Sequence, residues 1–164
     1  IQSYHIGLVI VSREMFANNK IRKTLYNSHV PVLKISDKDF STLKDVALIL
    51  SDNRDLEKIS STIFDISEQM NLNIEMYNYM NEHQYDKEQV VEHFNNLSTI
   101  FSKSIKIIKE NENPIQRLKR KKNFLQIIPF THKLTQYRIL SIFSTDSERL
   151  YYKLDSYHQI FIPI

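Results

Sequence analysis

The stretch Lys44 to Tyr79 constrains this chain more than any other. Asp45-Val46-Ala47-Leu48-Ile49-Leu50 is a short, nearly continuous apolar run, the pattern of a strand covered on both faces. Ser51-Asp52-Asn53 breaks it with residues that favour turns and helix N-caps. Leu56, Ile59, Ile63, Ile66 and Met70 follow at spacings of three and four, which places them on one helical face. Asn71 closes the helix, and Leu72 to Tyr77 returns as a strand. A strand–helix–strand crossover is the unit of a parallel sheet.

The rest of the chain repeats this alternation. His5 to Val11 reads as a strand, and Ser12 opens a helix carrying Met15, Phe16, Ile21 and Leu25. Val30 to Ile35 is a strand in which Pro31, lacking an amide donor, points to a strand start or an edge. Ser36 to Leu43 is polar and reads as a linker. Asp86 and Gln89 form a capping-box pattern before a helix that buries Val90, Phe94, Leu97 and Phe101. Ile105 to Ile108 is a strand, and Asn113-Pro114 starts a helix anchored by Ile115 and Leu118. Phe124 to Phe130 and Tyr137 to Phe143 read as strands. Thr145 and Glu148 open a helix with Leu150, Leu154 and Tyr157, and Ile160 to Ile164 ends the chain as a strand whose Pro163 suggests an edge. Alternating strands and helices predict an α/β fold, a mainly parallel sheet with helices on both faces.

The two ends look alike. Leu8 to Ser12 leads through a helix to Leu25, His29 and Val32. Leu140 to Ser144 leads through a helix to Leu154, His158 and Phe161. Residues 1–35 then read as the tail of a preceding copy and residues 45–164 as a full domain. This predicts two superposable strand–helix–strand units, with the N-terminal one not antiparallel to its neighbour. His29 and His158 read as turn or helix-end residues. The chain begins at Ile1 rather than Met, so a longer parent protein is expected.

Composition excludes several functions. With no Cys there are no disulfides and no thiolate metal ligands, which fits a reducing compartment. The six histidines lack the helical spacing of a zinc site, so no metal is expected. No run approaches the roughly 18 apolar residues of a membrane span. The single glycine, Gly7, lies in a strand-like run, so there is no Gly-rich phosphate loop. Ser12, Ser51 and Ser144 end strands without the flanking glycines of a nucleophile elbow. The residues therefore predict no catalytic site.

Two groups of residues remain as candidate sites. Asp52, between Ser51 and Asn53, stands where a parallel strand meets a helix, a place where open sheets bind ligands and also an N-cap position. Arg117, Lys119, Arg120, Lys121 and Lys122 form a basic cluster. It fits either a solvated helix face or a patch for nucleic acid or an anionic membrane. No docking element for DNA accompanies it, so nucleic acid is not the expected partner.

The runs Leu48-Ile49-Leu50-Ser51-Asp52-Asn53 and Val30-Pro31-Val32-Leu33, with the segment Ile139 to Ile164, resemble the universal stress protein family. The resemblance implies the adenine nucleotide alpha hydrolase-like α/β fold. It matches Asp52 to the first-strand Asp of the family, and Ser144-Thr145-Asp146-Ser147-Glu148 to the Gly-rich motif after the fourth strand. Those five positions hold no Gly and two acids, which disfavours a triphosphate. It also implies a cytoplasmic setting beside a bacterial cation antiporter or potassium-transport protein. The expectation is a non-enzymatic regulatory or interaction domain, tied to cation transport through a membrane domain in the same chain or complex. A homodimer would form through the Pro-containing strands. The alternatives are a domain sensing AMP or ATP weakly, with Ser51, Asp52, Asn53, Ser144 and Thr145 as contacts, and a nucleic-acid module using residues 117–122.

Overall fold

The computed structural model describes residues 7–50, 56–78, 86–108, 113–130 and 151–163. In chain order these form β1 (Val9–Ser12), α1 (Arg13–Ala17), α2 (Asn19–Tyr26), β2 (Val32–Ile35), β3 (Asp45–Leu50), α3 (Leu56–Gln69) and β4 (Asn73–Asn78). They continue as α4 (Asp86–Ile100), β5 (Ile105–Ile108), α5 (Pro114–Lys121), β6 (Phe124–Phe130) and β7 (His158–Pro163). The strands make one seven-stranded sheet in the order β1-β2-β7-β6-β3-β4-β5. Neighbours are parallel except at β2 and β7.

Period-two alternation sends side chains to opposite faces of the sheet. Val46, Leu48, Ile74, Met76, Leu125 and Ile127 meet Ile59, Ile63 and Phe64 of α3 and Phe94 of α4 on one face. Ala47, Ile49, Phe124 and Tyr77 meet Ile115 and Leu118 of α5, with Leu154 and Tyr157, on the other. That second face continues over Val32 and Phe161, where Phe16 stacks on Phe161 at 4.5 Å. The mainly parallel sheet with helices on both faces is as the sequence predicts. So are the neighbouring parallel strands β3, β4 and β5, with β3 inside the sheet.

Local chemistry sets the boundaries. Asn113 caps α5 by accepting from the Ile115 amide at 3.0 Å, and Pro114 fills the first turn. The single helix expected after Ser12 is two. Asn18 has an extended backbone that stops α1, and its side chain accepts from the Lys20 amide at 2.9 Å to start α2. The expected linker Ser36 to Leu43 contains a 3-10 turn over Phe40–Thr42, and Phe40 and Leu43 pack on the core.

Several expectations about the ends are corrected. β2 runs antiparallel to β7, which removes the repeat in the form the sequence suggested. The register nonetheless sets Val32 opposite Phe161, the two positions that the alignment of the ends equates. On its other side β7 pairs in parallel with β6, and the expected strand Tyr137 to Phe143 lies outside the described residues.

The Pro-containing strands are not edges. β2 lies between β1 and β7, and β7 between β2 and β6, so neither offers a free edge to a second copy. Pro31 precedes β2, and Pro163 is the last residue of β7, beyond its pairing with β2. His158 is not at a helix end. It opens β7, buried, with Nδ1 accepting from the Ser36 amide at 3.1 Å.

Candidate functional site

Chain order reverses on either side of β3: β4 and β5 follow on one side, β6 and β7 on the other. The crevice outside the carboxyl ends of β3 and β6 is therefore the switch point where open α/β sheets take ligands. Leu48 pairs with Ile127 there, β3 ends at Leu50 and β6 at Phe130. The candidate contacts Ser51, Asp52, Asn53, Ser144 and Thr145 lie outside the described residues. The fourth strand of the β3–β7 unit is β6, so the segment that follows it begins at Thr131 rather than Ser144.

Toward the opposite end of the sheet, where β3 and β6 begin, lies a charged network that the basic cluster feeds. Lys121 reaches inward to the carboxylate of Asp45 at 2.8 Å and to that of Glu75. Tyr77 donates its hydroxyl to Glu75 at 2.6 Å, and Lys106 stands 3.7 Å away. Burial pushes the Glu75 carboxyl up, but the bonds from Lys121 and Tyr77 outweigh it and hold the group below its ordinary value. Burial, with the Glu75 charge behind it, raises the Tyr77 hydroxyl against the opposing pull of Arg117. The basic run is thus divided. Lys121 is internal and Arg117 is half-buried, while Lys119, Arg120 and Lys122 are exposed.

One face of the sheet carries a polar row that sequence reasoning missed. Register aligns Lys34, Gln159, Gln126, Ala47, Glu75 and Lys106 across six strands. Gln159 donates to Gln126 at 2.7 Å, while Gln126 Nε2 and Gln159 Oε1 are buried without partners. At one end of the row Lys34, fully buried, sets its ammonium 3.0 Å from the Asp155 carboxylate. Arg13 Nε bonds the other oxygen of Asp155 at 2.7 Å. Burial pulls the Lys34 ammonium down to about 8, against the upward pull of Asp155. The legible signal was a lone charge inside an apolar strand run, Lys34 in β2 and Glu75 in β4.

Ser60 and His93 share a 2.8 Å hydrogen bond between α3 and α4. A nucleophile also needs oxyanion donors in front of it. Ser60 is buried within α3, whose amides serve the helix ladder, so this pair ties two helices. Among the described residues no group of three or more His, Asp or Glu side chains could hold a metal ion. No described helix is long and apolar enough to cross a membrane.

No family model matches the sequence, and no curated protein matches it. Solved structures do match the fold. A universal stress protein from Archaeoglobus fulgidus DSM 4304 superposes with a TM-score of 0.64 at 7% identity, over 96% of this chain and 60% of that one. A functionally unknown protein from Pseudomonas aeruginosa PAO1 gives 0.57 at 12% identity, over 96% and 63%. A putative universal stress protein from Pseudomonas aeruginosa UCBPP-PA14 gives the same values. The fold is the universal stress protein-like α/β fold, and the chain spans about three fifths of the length of these structures.

Proposed function

We propose that this chain is a non-enzymatic, cytoplasmic regulatory or interaction domain on the universal stress protein-like fold. In this reading it serves a cation-transport protein, as part of the same chain or complex. The observation that carries the non-enzymatic part is the fate of the interior charges. Lys34 is matched by Asp155, Lys121 by Asp45 and Glu75, and Tyr77 by Glu75. Charges engaged in this way hold elements together. A catalytic group instead faces a place where substrate can sit. The transport link rests on the resemblance of the apolar strand runs to the universal stress protein family.

A second reading is weak adenine-nucleotide sensing near Asp52, favoured by the switch point at the end of β3. Titration calorimetry with ATP and AMP separates the two. The expected result is no ATP binding tighter than about millimolar, about 4 kcal/mol at the standard state. Micromolar ATP affinity that disappears in Asp52→Ala would replace the regulatory reading with a nucleotide sensor. The nucleic-acid reading is weakened by Lys121, which spends its charge inside the fold. Steeply salt-dependent binding of duplex DNA would restore it.

A further inference from the structure

The sheet carries a local two-fold between β2 and β7. Their antiparallel register sets Val32 opposite Phe161 and Leu33 opposite Ile160. Each has a parallel neighbour on its outer side, β1 beside β2 and β6 beside β7. Val9 pairs with Val32, and Ile128 pairs with Phe161. Half a turn about that axis therefore carries Val9 onto Ile128, Ile10 onto Pro129 and Leu8 onto Ile127.

The two sides differ in what covers them. β6 has a further parallel neighbour, β3, with Leu48 beside Ile127. α3 lies over the same place, so Ile127 is fully buried with Ile59 and Ile63, and Pro129 is buried as well. β1 instead ends the sheet. Leu8 is 41% exposed and Ile10 59%. Ile10 pairs with Leu33, whose side chain belongs to the core that α3 covers. The opposite face of β1 is closed, since Val9 and Val11 pack with Phe16 and Tyr26.

The edge of β1 is open too. Val9 donates its amide to the Pro31 carbonyl at 2.9 Å. Successive residues of a strand turn their backbone groups to alternate sides, so Ile10 presents its amide and carbonyl outward. Natural sheets blunt such an edge with charge or proline. β5, at the other end of the sheet, carries the exposed Lys106. β1 reads Val9-Ile10-Val11-Ser12, with neither.

We propose that the β1 edge is a docking surface for a second strand–helix unit of the β3–α3 kind. The incoming strand lies parallel to β1, in the place that Leu48 and its neighbours hold beside β6. The helix behind it covers Leu8, Ile10 and Leu33, as Ile59 and Ile63 cover Ile127. The partner is thus an apolar strand followed by an amphipathic helix. Pairing with the β1 of a second copy would satisfy the edge but bring no helix over Leu8 and Ile10. The surface lies at the far end of the sheet from β4 and β5, so it is separate from the switch point and independent of the transport reading.

The test offers the 164-residue chain a peptide of residues 44–70, its own β3–α3 segment, with an acidic tail for solubility. The expected result is saturable binding that slows exchange of the Ile10 amide about tenfold or more and leaves the Val9 amide unchanged. Ile10→Lys should weaken that binding about tenfold. Ile100→Lys, which alters an exposed apolar residue at the end of α4, should leave it unchanged. Both positions are exposed, so neither change disturbs the core. Sedimentation of the chain alone should show a monomer. No peptide binding tighter than about 0.1 mM, or an equal loss in the two variants, overturns the proposal. So does a dimer of the chain that Ile10→Lys abolishes, since a second copy would then hold the edge.

Discussion

The ammonium of Lys34 lies 3.0 Å from the carboxylate of Asp155, bridging the N-terminal strand–helix–strand unit to the end of the chain. Both charges respond to their surroundings. Burial raises the Asp155 carboxyl, but hydrogen bonds from Lys34 and Arg13 outweigh it and hold the group below its ordinary value. Its contribution is therefore present above the unfolded carboxylate value, near pH 4, and is lost as pH falls through the lowered folded value. Lys34 works in the opposite direction. Its folded value, about 8, lies below the unfolded 10.5, so between these limits the unfolded chain binds more protons. Stability from this group must rise as pH climbs from about 8 to 10.5. Urea melts in that window should show a gain of up to about 3 kcal/mol in the wild type, absent in Lys34→Met. A flat profile in the wild type would mean that Lys34 keeps its proton. Asp155→Ala should cost about 3 kcal/mol at pH 7 and less at pH 9, where a neutral Lys34 needs no counter-charge.

The basic run on α5 should separate sharply under alanine substitution. Lys121→Ala leaves the carboxylates of Asp45 and Glu75 without their shared cation, and Glu75 is nearly fully buried. Removing one partner of such a pair costs about 3–5 kcal/mol. Lys119→Ala and Lys122→Ala touch exposed side chains. Lys119→Ala should stay within about 0.5 kcal/mol. Similar midpoints for Lys121→Ala and Lys119→Ala in denaturant melts would show that the inward bridge is not formed in solution.

The contrast between these lysines shows what the sequence made legible. β3, β4 and β5 were readable because runs such as Asp45 to Leu50 carry both their length and their burial in the residues themselves. α3 was readable because Ile59, Ile63 and Ile66 repeat at helical spacing. Lys34 and Lys121 were not, because each answers to a partner distant in the chain. Lys34 meets Asp155 across the antiparallel β2–β7 pairing, and Lys121 meets Asp45 and Glu75 through the packing of α5. The same limit hid the antiparallel pairing of β2 with β7. Local patterns place strands but say little about which strand lies beside which: Pro31 fits the strand start that was one of its two readings, while Pro163 suggested an edge where the fold has an interior strand. The switch point was legible as the end of the Asp45 run, although the residues singled out there, 51–53, lie outside the described residues.

Ile63 gives a direct test of the core facing α3. Its side chain is fully buried with Val46, Leu48, Phe64 and Phe94 in one cluster. Ile63→Ala should cost about 2–5 kcal/mol, the lost transfer of the side chain plus the space left between helix and sheet. A cost below about 1 kcal/mol in urea melts would mean that the helix packs on another face.

The ends of α3 and α4 share a solution to the scarcity of glycine. Asn71 and Ser102 adopt φ values of 51° each, in the region where glycine is usual. After α3 the Asn71 amide bonds the Glu68 carbonyl and the Leu72 amide the Ser67 carbonyl. After α4 the Ser102 amide bonds the Thr99 carbonyl and the Lys103 amide the Ser98 carbonyl. Each is a Schellman closure, and each has a serine three residues from the helix end whose hydroxyl locks the turn. Ser67 donates to the Leu72 carbonyl and Ser98 to the Lys103 carbonyl, both at 2.6 Å. Lys103 then joins the two ends by donating to the Ser67 carbonyl at 2.7 Å. The hydroxyl lock offsets the strain of a side chain at positive φ, so the two terms should be separable. Ser102→Gly should stabilise the fold by about 0.5–1 kcal/mol by removing the strain. Ser98→Ala should cost about 1 kcal/mol by breaking the lock. The double variant should then melt near the wild type. If Ser102→Gly instead destabilises, the turn is not strained, and the serine lock is only one more hydrogen bond in the helix end.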